Sequence, residues 1–254
     1  MSFFEKFQNN LEKIMGPFAN SISSNKFIKA LTAGFMASMP ISLGTAVIAV
    51  LGNLPIKPWQ NFLNNTGLYQ VVQEFISLTL SLLAIYVVST IAYNYTKNEK
   101  KNAIVGSVIA SATFIALMPI KNAEINGVSE AVLLTSNMGS NGIFVAMIIG
   151  LMVPYIFCKL MDKNLRLKLP SSVPPMVSES LAPTFVAMII FTSVFIIKWL
   201  VMMTSYRDIF TLINELVAKP VMYFGATPAS NIVLALFMSL CWFFAIPVVI
   251  NIGI

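Results

Sequence analysis

Long apolar runs separated by short polar segments set the rhythm of this chain. Six such runs, at 27–54, 68–93, 103–120, 143–161, 181–203 and 230–254, predict six membrane-spanning helices, since crossing the hydrocarbon core takes about 20 residues of helix. Ahead of the first run the pattern changes. Phe4, Phe7, Leu11, Ile14 and Phe18 recur at three and four residues, with Glu5, Lys6, Glu12 and Lys13 on other faces. That spacing predicts an amphipathic helix over the N-terminal segment, residues 1–26, either lying on the membrane surface or packed against its own protein. A weaker repeat of the same kind at 207–217, RDIFTLINELV, predicts a second surface helix rather than a crossing. Pro40 and Pro154 fall inside runs one and four, where they are expected to bend their helices.

Composition agrees with the pattern. Hydrophobic residues make up 57% of the chain and charged residues 10%, against about 25% charged in a soluble domain. The class is an all-α, polytopic membrane helix bundle. There is no histidine, which excludes a histidine-based triad, the usual kind of zinc site and a phosphohistidine on this chain. Cys158 and Cys241 lie in or at the end of apolar runs, with no spacing that suggests a disulfide or metal site. No phosphate-cradling glycine loop, GxSxG turn or paired carboxylates occur. No catalytic residue, metal or cofactor is therefore expected on this chain.

Charge fixes the threading. Lys6, Lys13, Lys26 and Lys29 precede or open run one. Lys97, Lys100 and Lys101 form KNEKKN between runs two and three. Lys159, Lys163, Arg166 and Lys168 follow run four. These are eleven of the sixteen basic residues, and an even number of spans separates the three groups. All three therefore lie on one side, and the positive-inside rule makes that side the cytoplasm. The N-terminus is expected inside. Lys198, Arg207 and Lys219 fall on the other side and fit this rule poorly.

Polar groups within the runs are few. Gln73 and Glu74 sit near the outer end of run two, and Glu179 at the inner start of run five. Each can serve as an interfacial residue reaching headgroups or water. Run three is rich in small residues (Gly106, Ser107, Ala110, Ser111, Ala112), which favour close helix approach. Run six carries Asn231 and Trp242, the candidate substrate-binding residues. Asn231 can donate to a ligand hydroxyl or, equally, bond a neighbouring helix carbonyl. Between runs four and five, LKLPSSVPPMVSES (167–180) holds three prolines in six residues. Proline fixes its own backbone and extends the residue before it, so 169–176 should form a stiff cytoplasmic bridge, with Ser178 or Ser180 capping the next helix.

Four stretches resemble the membrane component, enzyme IIC, of the bacterial phosphotransferase system in its lactose/cellobiose/chitobiose branch. They are NKFIKALTAGFMASMPISLGTAVIAVLGNLP (25–55), LTSNMGSNGIFVAMIIG (134–150), LPSSVPPMVSES (169–180) and CWFFAI (241–246). The third matches the family's P-x-S-V-P-P-x-V-x-x-S element and is the most specific. The resemblance implies a permease in the bacterial cytoplasmic membrane that moves a disaccharide or β-glucoside while a partner phosphorylates it. The phosphoryl group would pass from phosphoenolpyruvate through soluble carriers, including IIA, to a cysteine of IIB and then to the sugar. It also implies a homodimer formed largely by the first five spans, with the basic loops facing the soluble partners.

The same resemblance implies a domain plan. Residues 27–205 would form a five-span dimerisation scaffold, 206–227 an amphipathic connector and 228–254 the opening helix of a transport domain. The family's sixth span ends in a G-I-H-G-like turn whose histidine belongs to the sugar site. Here Ala245 stands where glycine is expected and Pro247 where histidine is expected. The family continues into further spans and two re-entrant hairpins, so the chain reads as the first half of a permease, lacking most of the sugar site. A second reading is a non-transporting membrane protein that dimerises with or regulates an intact permease. An unrelated six-span transporter is disfavoured, because the runs show no internal repeat of the kind transporters often carry.

Overall fold

The computed structural model describes residues 24–125, 127–163, 165, 174 and 181–220. The N-terminal amphipathic segment up to residue 23, nearly all of the proline bridge together with Glu179, and the sixth run with Asn231 and Trp242 lie outside these described residues. The elements are α1 Lys26–Gly52, α2 Lys57–Asn65, α3 Leu68–Ser81, α4 Leu83–Asn98, α5 Ala103–Leu117, β1 Ile120–Ile125, β2 Val128–Leu133, α6 Thr135–Met138, α7 Ile143–Asp162, α8 Thr184–Met202 and α9 Ile209–Ile213.

α4 is the central helix and packs against α1, α5 and α7. Ala84, Val87, Val88, Ile91, Ala92, Tyr95 and Thr96 are its buried residues, spaced at three and four so that they share one broad face. Ile91 is gripped between two glycines. A Cβ on Gly34 of α1 would lie 2.7 Å from the Ile91 Cα, and one on Gly150 of α7 would lie 3.2 Å from its Cβ. On the α5 side, a Cβ on Gly106 would lie 2.3 Å from Thr96 Oγ1. Hydroxyls reinforce these contacts. Ser89 and Ser111 hydroxyls meet at 2.7 Å, Ser107 donates to the Ser89 carbonyl at 2.8 Å, and Thr90 donates to the Gly34 carbonyl at 2.9 Å. The small residues of run three thus serve helix packing, as lipid surroundings require.

The described residues hold three helices long and apolar enough to cross a membrane, four if α3 and α4 count as one bent span. Runs one to five predict five. The shortfall is run three, where α5 has 15 residues, about 22 Å of helix. Pro119 ends it, because the residue before a proline is pushed to extended geometry, and Met118 is extended at φ −61°, ψ 141°. The stop would strand α5's last carbonyls. Lys198 of α8 resolves this by donating to the Ala116 carbonyl at 2.5 Å and the Met118 carbonyl at 3.3 Å. The one basic residue inside run five is thereby accounted for.

α1 and α7 continue as helix through Pro40 and Pro154. The break that does interrupt a span lies elsewhere, at Leu82, where α3 and α4 meet at 40°. No proline is involved. Thr79 donates back to the Phe75 carbonyl at 2.7 Å, a habit of Ser and Thr that bends helices.

Two further elements were not expected. β1 and β2 form an antiparallel hairpin in which Ile125 pairs with Val128. The sequence Asn-Gly at 126–127 falls between them, and Gly127 has φ +79°, the combination a two-residue hairpin turn demands. α2 is a short helix with Pro58 in its first turn. Trp59 stacks on Phe62 and donates Nε1–H to the Leu51 carbonyl at 2.8 Å, closing the end of α1. Residues 207–217, expected as a surface helix, are docked. Asp208 caps α9, Phe210 and Ile213 are buried, and the Phe210 ring meets Phe114 edge-on at 5.4 Å. The helix then widens into a π turn over Asn214–Ala218.

Candidate functional site: a basic end and a polar cleft

The start of α1, the KNEKKN loop and the end of α7 come together at one end of the bundle. Lys26 pairs with Glu99 at 2.6 Å, and Lys101 with Asp162 at 2.5 Å. Surface pairs of this kind contribute little stability, but they fix these segments side by side. Beneath them Phe27 lies 5.6 Å from Tyr95 and 5.7 Å from Tyr155, and Lys159 sits 4.5 Å over the Tyr155 ring. Such an aromatic layer under a basic rim matches a membrane–water interface. A cleft of about 410 Å³ opens among Lys26, Lys29, Asn98, Glu99 and Lys100. Lys100 has φ +56°. It follows the end of α4, with the Lys101 N–H returning to the Thr96 carbonyl at 3.1 Å, so the positive φ belongs to a helix-ending motif usually served by glycine.

The second feature lies at the opposite end, where the bent span passes α6. A cleft of about 470 Å³ is lined by Ser77 and Ser81 from the end of α3, and by Thr135, Ser136, Ser140 and Asn141. None of these six side chains makes a hydrogen bond among the described residues. Elsewhere in the bundle the hydroxyls of Ser38, Thr45, Ser89 and Ser111 close onto carbonyls one turn back. Gly139 forms part of the cleft wall. A Cβ there would lie 3.3 Å from the Ser81 carbonyl oxygen, so the bare glycine lets α6 approach the broken span. This site was not anticipated from sequence, although its signal is the polar string TSNMGSN between two apolar segments.

Of the polar residues singled out in the runs, Gln73 is half-buried, and exposed Glu74 accepts a hydrogen bond from Gln70 at 2.8 Å. Cys158 is buried in α7. Asn231 and Trp242 lie outside the described residues, so the structure does not bring them to either cleft.

Residues 32–254 match the family model described as phosphotransferase system, EIIC. The chain belongs to this EIIC family. It is 34% identical over 95% of its length to the galactose-specific EIIC component of Lactococcus lactis, covering 57% of that protein. It is 26% identical to the oligo-beta-mannoside-specific EIIC component of Bacillus subtilis, over 96% of this chain and 54% of the relative. The EIIC fold is matched in the crystal structure of the transporter ChbC, the IIC component of the N,N'-diacetylchitobiose-specific phosphotransferase system. That match has a TM-score of 0.81 at 25% identity and covers 91% of this chain and 56% of that one. The EIIC chain thus spans about half the length of the curated relatives it matches. Family and fold make it an integral membrane protein.

Proposed function

We propose that this chain is the membrane permease component of a phosphoenolpyruvate-dependent sugar phosphotransferase system for a disaccharide or β-glucoside of the cellobiose, chitobiose or lactose type. The family match over 32–254 carries this reading. The basic end is the cytoplasmic end, because lysines gather there, and it faces the soluble IIA and IIB subunits. The five-run scaffold is the homodimerising part. Asn231 and Trp242 belong to the helix that meets the sugar, and the membrane is the bacterial cytoplasmic membrane.

The test is phosphoenolpyruvate-dependent phosphorylation of labelled cellobiose, chitobiose and lactose by vesicles carrying the chain, supplied with the soluble phosphotransferase components. Because the chain spans about half the length of its relatives, vesicles holding it alone are expected to give no product above background, and phosphorylated sugar is expected once the second half of a related EIIC component is supplied with it. Absence of product for every sugar even then, combined with co-purification of the chain with a full-length permease, would replace this reading with the regulatory one.

A further inference from the structure

We infer that the cleft between the broken span and α6 is an outward-facing arrival site for a neutral polyhydroxy ligand, a sugar met before the transport step. The inference deepens the permease reading and rests on it for the identity of the sugar.

Chemistry selects the ligand class. The cleft carries no charged side chain among its lining residues, so it offers nothing to hold an ion against its hydration. It offers five hydroxyls and one amide, each able to donate and to accept. Sugar hydroxyls have the same double capacity. About 470 Å³ also falls within the roughly 300–1,000 Å³ of small-molecule sites.

Backbone geometry supports the same assignment. At Leu82 the helix departs to φ −104°, ψ 8°, and the Leu82 N–H turns to the Leu80 carbonyl. The final turn of α3 is thereby opened beside the cleft. Interrupted helices beside a polar cavity are a recurrent way for transporters to expose binding groups. Gly139 keeps that wall clear, because a side chain there would be driven toward the Ser81 carbonyl at 3.3 Å and the Leu80 carbonyl at 3.6 Å. Finally, the basic residues sit at the other end of the bundle. If that end is cytoplasmic, the cleft opens to the outside, where sugar arrives.

Intact cells expressing the chain with Ser140→Cys provide the test. The probe is a membrane-impermeant maleimide, with the unsubstituted chain as background for Cys158 and Cys241. Labelling from outside is expected, and saturating cellobiose, chitobiose or lactose should slow it about tenfold, whereas sulfate should not. Ser81→Ala with Ser136→Ala should raise the sugar concentration needed for protection by roughly tenfold. Ser136 is exposed, so Ser136→Ala alone is the variant that leaves folding intact, and a smaller rise of the same sign is expected from it. Labelling that no sugar slows, where the chain supplied with that second half still phosphorylates sugar, overturns the arrival site and spares the permease reading. Protection without phosphorylation keeps the site and removes that reading. Labelling only from the cytoplasmic side, or protection by sulfate equal to that by sugar, overturns the site.

Discussion

α4 and α8 are both apolar helices of similar length, yet they meet opposite surroundings. α4 has 16 residues and buries seven of them, while α8 has 19 residues and buries only Val186 and Ile190. The more polar of the two is the more buried. α4 carries the Ser89 and Thr90 hydroxyls that reach neighbouring helices, and it receives Gly34, Gly106 and Gly150. Much of α8 presents large side chains outward, with Phe195 at 70% exposure. In water the greasier helix would be the core. In lipid, apolar surface gains nothing by leaving hydrocarbon, so close backbone approach and interhelical hydrogen bonds decide which helix is central.

The largest effect should come from closing the α1–α4 approach. Gly34→Val places a branched side chain where even a Cβ would lie 2.4 Å from Ile91 Cγ1 and 2.7 Å from its Cα. Backbone cannot yield as a side-chain tip can. Overpacking of this kind should cost about 3 kcal/mol, read as a lowered midpoint of unfolding in mixed detergent micelles. A cost under about 0.5 kcal/mol would show that α1 does not sit against α4 as described, since small residues matter only at true contacts.

Among the described residues, Lys198 makes α8's one side-chain hydrogen-bonded link to another helix, and removing it should rank second. Lys198→Met deletes the donor to the Ala116 and Met118 carbonyls while keeping an apolar stem. Hydrogen bonds from charged groups contribute about 1.5–3 kcal/mol in water-soluble proteins, and interhelical bonds in membranes average less. A loss of about 1–2 kcal/mol is expected, with faster hydrogen exchange at the amides of the β1–β2 hairpin just beyond Met118. Lys198→Arg should recover part of the loss.

How far the sequence revealed this architecture follows from the same physics. Runs one, four and five were legible because hydropathy reports membrane residence directly. The gathering of three basic groups at one end was legible because span parity is a counting argument, and the Lys26–Glu99 and Lys101–Asp162 pairs bear it out. Hydropathy averages over windows, so it blurred short features. Pro119 marked the early end of α5 but lies inside run three, and Asn-Gly at 126–127 marked the hairpin but lies inside what reads as a loop. The break at Leu82 has no proline or glycine to announce it. The cleft joins the end of α3 to residues more than fifty positions later, a juxtaposition no local pattern contains. Asn231 and Trp242 rest on the reading of run six.

Thr113 offers a smaller test, of opposite sign. It is fully buried in α5, and its hydroxyl has no hydrogen-bond partner among the described residues. A buried unsatisfied group costs about 1–3 kcal/mol, and replacing it by an apolar group of the same shape removes that penalty. Thr113→Val should therefore leave the fold unchanged and raise stability by about 1 kcal/mol in the same micelle titration. Destabilisation would mean that the hydroxyl has a partner the bundle conceals.

The smallest expected effect tests the other half of the comparison. Phe195 projects from α8 into its surroundings, and Phe195→Ala removes a large ring. In a protein core such truncation costs about 3–5 kcal/mol, because a cavity remains and transfer energy is lost. Facing lipid, neither term applies: acyl chains flow into the space, and the ring leaves one apolar medium for another. The unfolding free energy should move by less than about 0.5 kcal/mol and be the same at every protein-to-lipid ratio. A loss of core size that shrinks as the protein is diluted into lipid would instead show this face covered by a second copy. α8 would then be a buried helix of the dimer, and its contrast with α4 would belong to the single chain alone.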